Sequence, residues 1–527
     1  MPKFKPYNHD QAAMVVINFE DQIQPGTFEY AIHYLIEHKL DLSVFFPNYH
    51  NDQTGRPAYD PAILLKIILF AYSKGITSSR EIQWCCETNI IFKALSCDSV
   101  PHFTTIANFV SSHAEEVESL FEQVLLVCDQ QGLLGKELFA IDGCKMPSNA
   151  SKEHSGTFKE LAEKRDKLRR QINYHLKEHQ RLDAQTVYDE DRLKRIEQTI
   201  STLDKASDRI DQFLKNNVPR MGRGRTRKEV KSNITDNQSA KMKTNKGVIQ
   251  GYNGVATVDK KHQIVVDAQA FGEGQEHHTL KPVLERVEAR LKRLEISDNI
   301  YQQGTVITAD TGFANEANMA YLYERKINAY VPDNQFRSRD PKFTNQKKKY
   351  GKRHQDELPK SLKSHHAKQV IPASEFDFDP VKRTCRCPAG ELISYRGERE
   401  APDGKVKAWF EGRLLQCRNC DFKHQCMKNP SAADHRKGAG RQVSFMLTQQ
   451  RKPNYTDWMK HRVDSDYGKQ VYSHRMSVVE PVFGNIGTNK GLNRFSLRGK
   501  TKVQSQWQLY CMVHNIEKLM RYGELVA

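Results

Sequence analysis

The stretch LFAIDG, residues 138–143, decides the fold of this chain. It is a short apolar run that ends in Asp142 and a glycine, and such a run predicts a buried strand with a carboxylate at its C-terminal end. The stretch TVITADTG, residues 305–312, repeats the pattern with Asp310. Because α/β sheets place their sites at strand ends, the two carboxylates predict a shared site, although an acid there more often caps the chain or faces solvent.

Two carboxylates that meet at one edge of a sheet repel each other, and a divalent cation removes that repulsion. Mg²⁺ prefers hard oxygen ligands and keeps water and substrate phosphates in its coordination shell. Two such ions close together can activate a water molecule and stabilise the leaving oxygen in phosphodiester cleavage. Asp142 and Asp310 are therefore candidates for a metal-dependent site that acts on a phosphodiester.

Elsewhere the patterns predict a mixed α/β chain with large helical parts. Residues 61–70 predict a buried helix capped by Asp60, and the short helices around it are typical of a helix-turn-helix-like DNA-binding or dimerising module, or of a generic bundle. At roughly 100–200 residues per domain, the chain allows two to four domains. We expect six segments: 1–135 (helical, DNA-binding), 136–150 (first core strand), 151–235 (helical hairpin insertion with a basic linker), 236–335 (α/β core), 336–465 (basic and Cys-rich insertion) and 466–527 (C-terminal part of the core).

The charge of the chain favours a polyanionic partner. Lys and Arg total 81 against 64 Asp and Glu, which gives a net charge of +17, and nucleic acid is the first expectation for such a surplus. A membrane partner is disfavoured because the longest apolar run, residues 62–72, is far shorter than the roughly 20 residues that a span needs. The N-terminus lacks the apolar stretch of a signal peptide, so we expect a cytoplasmic protein whose cysteines are reduced thiols or metal ligands.

A third acidic motif follows the two strand ends. The stretch YSHRMSVVEPVFGNI, residues 472–486, opens the C-terminal helical part and contains Arg475 and Glu480. In this order the three motifs resemble those of the DDE transposases of bacterial insertion sequences, most closely the eleven-eighty-two group. The resemblance covers nearly the whole chain, including GRPAYDP at residues 55–61 and the late cysteines.

The resemblance implies a fold, a metal site and a reaction. It implies an RNase H-like mixed sheet, with Asp142, Asp310 and Glu480 as the catalytic triad that binds Mg²⁺ or Mn²⁺. It implies double-stranded DNA as partner: water attacks the phosphodiester at the ends of the element's terminal inverted repeats, and the freed 3′-hydroxyl then attacks target DNA. A homodimer is implied because two ends must be brought together, as is a location at the bacterial nucleoid.

Four residues are candidates for DNA contacts. The resemblance places Tyr472 and Arg475 near the scissile phosphate, where an arginine can bind phosphate through two hydrogen bonds; a helix-packing tyrosine and a surface charge are the plain alternatives. The broader Tyr-Arg-Glu-Lys signature of related transposases has three residues between Arg and Glu, and a Lys seven positions after Glu. This chain has four residues there and Gly487 at the lysine position, so Lys490 or Arg494 is expected to replace the lysine.

Two further polar clusters each allow two interpretations. Lys241, Lys243 and Lys246 precede a predicted β-hairpin and either bind phosphate or are solvated charges. His277 and His278 follow the hairpin and either approach the site or cap the next helix, with the cap favoured.

Five of the eleven cysteines fall in a span that is poor in apolar residues. They are Cys385, Cys387, Cys417, Cys420 and Cys426. Such a segment can fold around Zn²⁺ bound by four thiolates. CPAG at residues 387–390 resembles the family's own pattern and would leave Cys385 as the spare, while His424 and His435 are substitute ligands. An iron–sulfur cluster, which also uses four thiolates, and reduced cysteines without metal are the competing interpretations.

Three functions fit these residues. The first is an active transposase. The second is a catalytically inactive DNA-binding protein of transposase ancestry, against which the three intact carboxylates argue, since a binding role needs none of them. The third is an RNase H-like nuclease, which differs only in that the 3′-hydroxyl is not used again.

Overall fold

The computed structural model describes residues 16–49, 57–183, 190–222, 227–245, 247–343, 370–400, 406–447 and 454–525. The chain forms two compact units, one made of residues 1–332 and 466–527 and the other of residues 333–465. None of the helices in the described ranges is long and apolar enough to cross a membrane.

The first unit begins with six helices. They are α1 (Phe28–His38), α2 (Pro61–Ser73), α3 (Ser79–Thr88), α4 (Ile90–Ser96), α5 (Phe103–Ser112) and α6 (Ala114–Gln130). The carboxylate of Asp60 caps α2 by accepting a hydrogen bond from the backbone N–H of Ala62 (2.8 Å), and Pro61 occupies the first position, which needs no donor. Most of α2 is buried, so the predicted helix is confirmed.

A helical hairpin follows the first strand, β1 (Leu138–Pro147). It consists of α7 (Phe158–Asp183) and α8 (Glu190–Asn216), with a small core of Leu161, Ile210 and Phe213. Four two-residue strands flank it: β2 (Ser155–Gly156), β3 (Arg220–Met221), β4 (Glu229–Val230) and β5 (Ser232–Asn233). The predicted hairpin is confirmed. The short β3–β4 pair lies where the sequence predicts a linker, of which residues 223–226 are outside the described ranges.

A six-stranded mixed sheet forms the centre of the first unit. Its other strands are β6 (Ala240–Thr244), β7 (Gly247–Asp259), β8 (Val265–Phe271), β9 (Val306–Ala309) and β10 (Ala329–Tyr330). β1 lies between antiparallel β7 and parallel β9, and β10 extends the sheet in parallel beyond β9. β6 and β8 both pair with β7, along its first and second halves respectively. The strand that carries Asp142 is therefore central.

Two helices, α9 (Leu280–Arg293) and α10 (Glu316–Glu324), connect the later strands. Arg290 of α9 is fully buried and forms ion pairs with three carboxylates. These are Asp267 on β8, and Glu118 (3.0 Å) and Glu122 (3.1 Å) on α6. The arginine thus joins the sheet to the N-terminal helices by charge.

The second unit contains a five-stranded antiparallel sheet, in the order β11 (Asp377–Asp379), β12 (Thr384–Arg386), β13 (Leu392–Glu400), β14 (Val406–Arg413) and β15 (Ala439–Met446). Short helices accompany it: α11 (Phe336–Arg339), α12 (Leu414–Cys417), α13 (Lys423–Cys426), α14 (Ala432–His435) and α15 (Tyr455–Asp464). The sequence did not predict this sheet because most of its strands have few buried positions; on β13 Ile393 is the buried one. Most of the basic segment expected here, residues 344–369, lies outside the described ranges.

The chain then returns to the first unit with α16 (Asp466–Gly484) and α17 (Lys500–Tyr522). More than half of the residues of α17 are buried. Trp507 donates a hydrogen bond from its indole N–H to the carbonyl oxygen of Val255 on β7 (3.1 Å). The ring of Tyr510 stacks on that of Tyr72 in α2, with centroids 4.5 Å apart. This last helix therefore packs between the sheet and the first helices.

Candidate active site

The sheet brings Asp142 and Asp310 to one edge. Ile141 on β1 is the register partner of Ala309 on the parallel neighbour β9, so the two aspartates follow at the same level. One nitrogen of Arg475, Nη2, lies 2.8 Å from Oδ2 of Asp142 and 3.9 Å from Oδ1 of Asp310. The two strand-end carboxylates of the sequence analysis thus converge on one arginine.

The carboxylate of Asp142 is in an environment that disfavours its charge. Burial raises its pKa to about 6, and the charges of Asp310 and Glu276 contribute to this rise. The positive charge of Arg475 and the backbone N–H of Gly143, which donates to Oδ1 (2.8 Å), oppose it. The effect of burial on the pKa is larger than the opposing effects of Arg475 and Gly143. The ionised form of Asp142 would therefore be stabilised by a further positive charge.

Arg475 lies on α16 and is 6% exposed. Its Nε is buried without a hydrogen-bond partner among the described residues. A buried arginine between two carboxylates is held in place by charge, and its unpartnered nitrogen leaves room for one more acceptor. Arg475 is therefore part of the site and not a solvated surface charge.

Glu480 stands apart from the two aspartates. It also lies on α16 but is exposed, and within the described part of the chain the arginine that pairs with Asp142 and Asp310 forms no ion pair with it. An α-helix has 3.6 residues per turn, so the five-residue step from Arg475 to Glu480 rotates the side chain by about 140°. The extra residue in the signature thus turns Glu480 away from the face that carries Arg475.

The third acid beside the aspartates is Glu276, which the sequence analysis missed. Its charge acts on Asp142, and its Oε1 lies 3.3 Å from Nζ of Lys145 on β1. A side chain at Gly312, two residues after Asp310, would overlap the Glu276 carboxylate. The sequence feature that could have indicated Glu276 is an acid shortly after the end of β8, directly before two histidines.

The donor set suits a hard cation. Three carboxylates, Asp142, Asp310 and Glu276, face two positive charges, Arg475 and Lys145, so net negative charge remains. Within the described ranges, no three His, Cys, Asp or Glu side chains are spaced to hold a metal ion. Arg475 contacts both aspartates at the place where a shared cation would lie.

The other predicted DNA contacts have different surroundings. Tyr472 is half-buried on α16. Lys490 is 1% exposed and forms an ion pair with Glu517 of α17, so in this structure its ammonium group is not presented to solvent, and its DNA contact stays a prediction. Arg494 is exposed and donates from Nε to the carbonyl oxygen of Ser148, just beyond β1 (3.3 Å). Arg498, which the sequence analysis did not single out, is exposed and donates to the carbonyl oxygen of Asn149 (2.6 Å).

A groove of about 950 Å³ lies between the β3–β4 pair, β6 and the segment that follows β8. We call it the basic groove, because its lining includes Arg220, Lys228, Lys231, Lys241, His277 and His278. Lys231 pairs with Glu160 (3.0 Å), while Lys228 and Lys241 form no ion pair in the described ranges. The two histidines directly follow Glu276, so the groove adjoins the carboxylates. Of the predicted lysine cluster, Lys241 lines it, and Lys246 is outside the described residues.

In the second unit the five cysteines separate into two groups. Cys387, Cys417, Cys420 and Cys426 line one cavity of about 430 Å³. Cys385 does not line this cavity; it is fully buried in the apolar core of the sheet, to which Cys426 also belongs and against which Cys387 packs. His424 and His435 do not line this cavity.

Comparison with known protein families gives two matches, one in the N-terminal half of the chain and one in the C-terminal half. Residues 17–112 match a family model described as Transposase domain (DUF772), and residues 386–520 match one described as Transposase DDE domain. The second match includes Arg475 and Glu480, while Asp142 and Asp310 lie between the two matched segments. No curated protein and no solved structure matches. The two transposase matches, which lie on either side of the paired aspartates, indicate an insertion-sequence DDE transposase.

Proposed function

We propose that this chain is an active transposase of the eleven-eighty-two-like group, which binds the terminal inverted repeats of its element, cleaves the DNA ends with the help of a divalent metal and joins them to target DNA. The observation that carries the proposal is the convergence of Asp142 and Asp310 on Arg475. We further propose that it acts as a homodimer at the nucleoid, since two ends must be held together.

We propose an RNase H-like core for the first unit. The strand order supports it: three consecutive antiparallel strands, β1, β7 and β8, are extended on the β1 side by parallel β9 and β10. In this arrangement the first and fourth strands of the core are neighbours, which explains how residues so far apart in sequence deliver carboxylates to one place.

On the resemblance, Asp142, Asp310 and Glu480 are proposed to hold Mg²⁺ or Mn²⁺. Because Glu480 is exposed in this structure and the charge of Glu276 acts on Asp142, Glu276 is the alternative third ligand. A divalent ion bound there supplies charge stabilisation at the phosphodiester and lowers the pKa of bound water. Arg475 has the geometry to bind a non-bridging phosphate oxygen through its unpartnered Nε while its Nη2 holds Asp142. Arg494 and Arg498, exposed beside the end of β1, are proposed contacts to the flanking backbone.

The proposal is tested by incubating the protein with labelled DNA that carries the repeats flanking its gene, with Mg²⁺ present or omitted. We expect metal-dependent nicking at the repeat ends, followed by joining to target DNA. Tight binding without nicking in Mg²⁺ or Mn²⁺ would favour the inactive DNA-binding protein. Nicking without joining would favour the nuclease.

The identity of the third acid gives a prediction. We expect Glu480→Gln to lower end cleavage at least ~100-fold, a loss of about 2.7 kcal/mol of transition-state stabilisation, and Glu276→Gln to lower it less than ~10-fold. Both variants are compared at equal DNA occupancy, measured by gel shift. The reverse pattern would reassign the third metal ligand to Glu276, whose charge acts on Asp142.

The basic groove gives a second prediction. We expect the double variant Lys228→Ala/Lys241→Ala to weaken DNA binding about tenfold at ~0.1 M salt and to reduce the slope of log affinity against log salt by about two, because each lysine releases roughly one counterion. The matched control is Lys194→Ala/Lys205→Ala, which removes the same charge from exposed positions on α8. Equal losses in both double variants would place the DNA elsewhere.

A further inference from the structure

The thiols that line the cavity of the second unit come from three separate pieces of chain. Cys387 begins the tight turn after β12, in which Gly390 has a positive φ of 81° and donates to the carbonyl oxygen of Cys387 (2.8 Å). Cys417 ends α12, and Cys420 lies in the turn that follows. Cys426 ends α13. Backbone hydrogen bonds thus fix all four positions before any ligand is considered.

The four thiols act on one another and on one arginine. Cys417 interacts electrostatically with Cys420 and Cys387, and Cys426 with all three others. Burial raises the pKa of both Cys417 and Cys426. Arg441 lines the same cavity and opposes the rise at Cys426, and its Nε is buried with no partner in the described part of the unit. Arg441 would balance part of the negative charge that four thiolates carry when they hold a metal.

The spacing of the thiols distinguishes a site for a single zinc ion from a site for an iron–sulfur cluster. A single Zn²⁺ holds four sulfurs at about 2.3 Å, which brings the sulfurs close around one point. Here no three possible ligands in the described ranges are grouped to hold one ion, and the four thiols line, with other side chains, a cavity of about 430 Å³. An iron–sulfur cluster is also held by four cysteine thiolates, but it fills a volume between them.

We propose that Cys387, Cys417, Cys420 and Cys426 bind a polynuclear iron–sulfur cluster, and that Cys385 is not a ligand. Cys385 does not line the cavity, although it shares a buried cluster with Cys426. The cluster ties the turn after β12 to α12 and α13, which otherwise share a core of a few residues, Leu414, Met427 and Ala433. This inference stands on the second unit alone and does not depend on the proposed transposition chemistry.

The test uses the full chain, expressed with added iron and purified without oxygen. Iron, acid-labile sulfide and zinc are measured per chain, together with visible absorption and the electron paramagnetic resonance of the reduced protein. We expect equal amounts of iron and sulfide, about four of each for a four-iron cluster. One zinc per chain with no iron would overturn the proposal, and so would the absence of iron after reconstitution with ferrous ions and sulfide.

Ligand assignment is tested with two substitutions. We expect Cys420→Ser to lose the iron and the spectrum, while Cys385→Ala retains both. Circular dichroism of each variant reports whether the protein is folded. Because Cys385 lies in the core, Cys97→Ser, at an exposed position in the first unit, provides a second control that should retain the cluster. Retention of a full cluster in Cys420→Ser, or its loss in a folded Cys385→Ala protein, would contradict the assignment.

Discussion

Asp142→Asn is expected to reduce DNA end cleavage at least ~1000-fold, which corresponds to about 4 kcal/mol of transition-state stabilisation. The amide keeps the shape of the side chain but loses the negative charge that a divalent ion requires. Affinity for repeat DNA should stay within about threefold, because phosphate contacts with basic residues dominate such binding. Cleavage is measured under single-turnover conditions and binding by gel shift.

The matched control for this experiment is Asp298→Asn, at an exposed position outside the site. It should cleave at the wild-type rate. An Asp142→Asn protein that still cuts at the repeat ends would remove Asp142 from the metal site and with it the proposed chemistry. A protein that neither binds nor cuts would show damage to the fold, which circular dichroism detects separately.

Arg290→Met is expected to lower the free energy of unfolding by about 3–5 kcal/mol. Met has a similar reach but no charge, so Asp267, which is 1% exposed, would face Glu118 and Glu122 without its buried partner. Removing one member of a buried charge cluster leaves uncompensated charge in a medium of low polarity. Urea unfolding followed by circular dichroism measures the change.

Arg325→Met is the control for this loss of stability. Arg325 pairs with Glu288 (2.6 Å), but its side chain is 48% exposed, and exposed ion pairs contribute less than about 1 kcal/mol. If the two variants unfold at the same urea concentration, the buried cluster does not hold the sheet to the N-terminal helices.

Local patterns were sufficient for the parts of the fold that bury one continuous stretch. Apolar runs or helical periodicity predict four of these elements. They are the helix at Pro61–Ser73, the helical hairpin and the two strands that precede Asp142 and Asp310. The pairing of the two aspartates also followed, because strand ends of parallel neighbours meet at one edge.

The rest depended on contacts between distant residues. The burial of Lys490 follows from Glu517, which lies on another helix, and no pattern around Lys490 indicates this. The position of Glu276 depends on how the chain turns after β8. The sequence does not predict the sheet of the second unit, because strands such as β13 carry polar side chains at most positions. The alternation of apolar and polar residues that predicts a strand is therefore weak there.

The position of α17 has a consequence for the synthesis of the protein. Helices of residues 28–130 leave the ribosome first, yet α2 and α5 pack against a helix that is made near the end: Tyr72 stacks on Tyr510, and Ser505 donates to the carbonyl oxygen of Val110 (3.2 Å). Until residues 500–522 emerge, the nascent N-terminal part has an open apolar face and must be shielded or remain loosely packed. A product that ends before α17 would therefore be prone to aggregation. It would not be a stable N-terminal domain that competes with the intact protein for DNA.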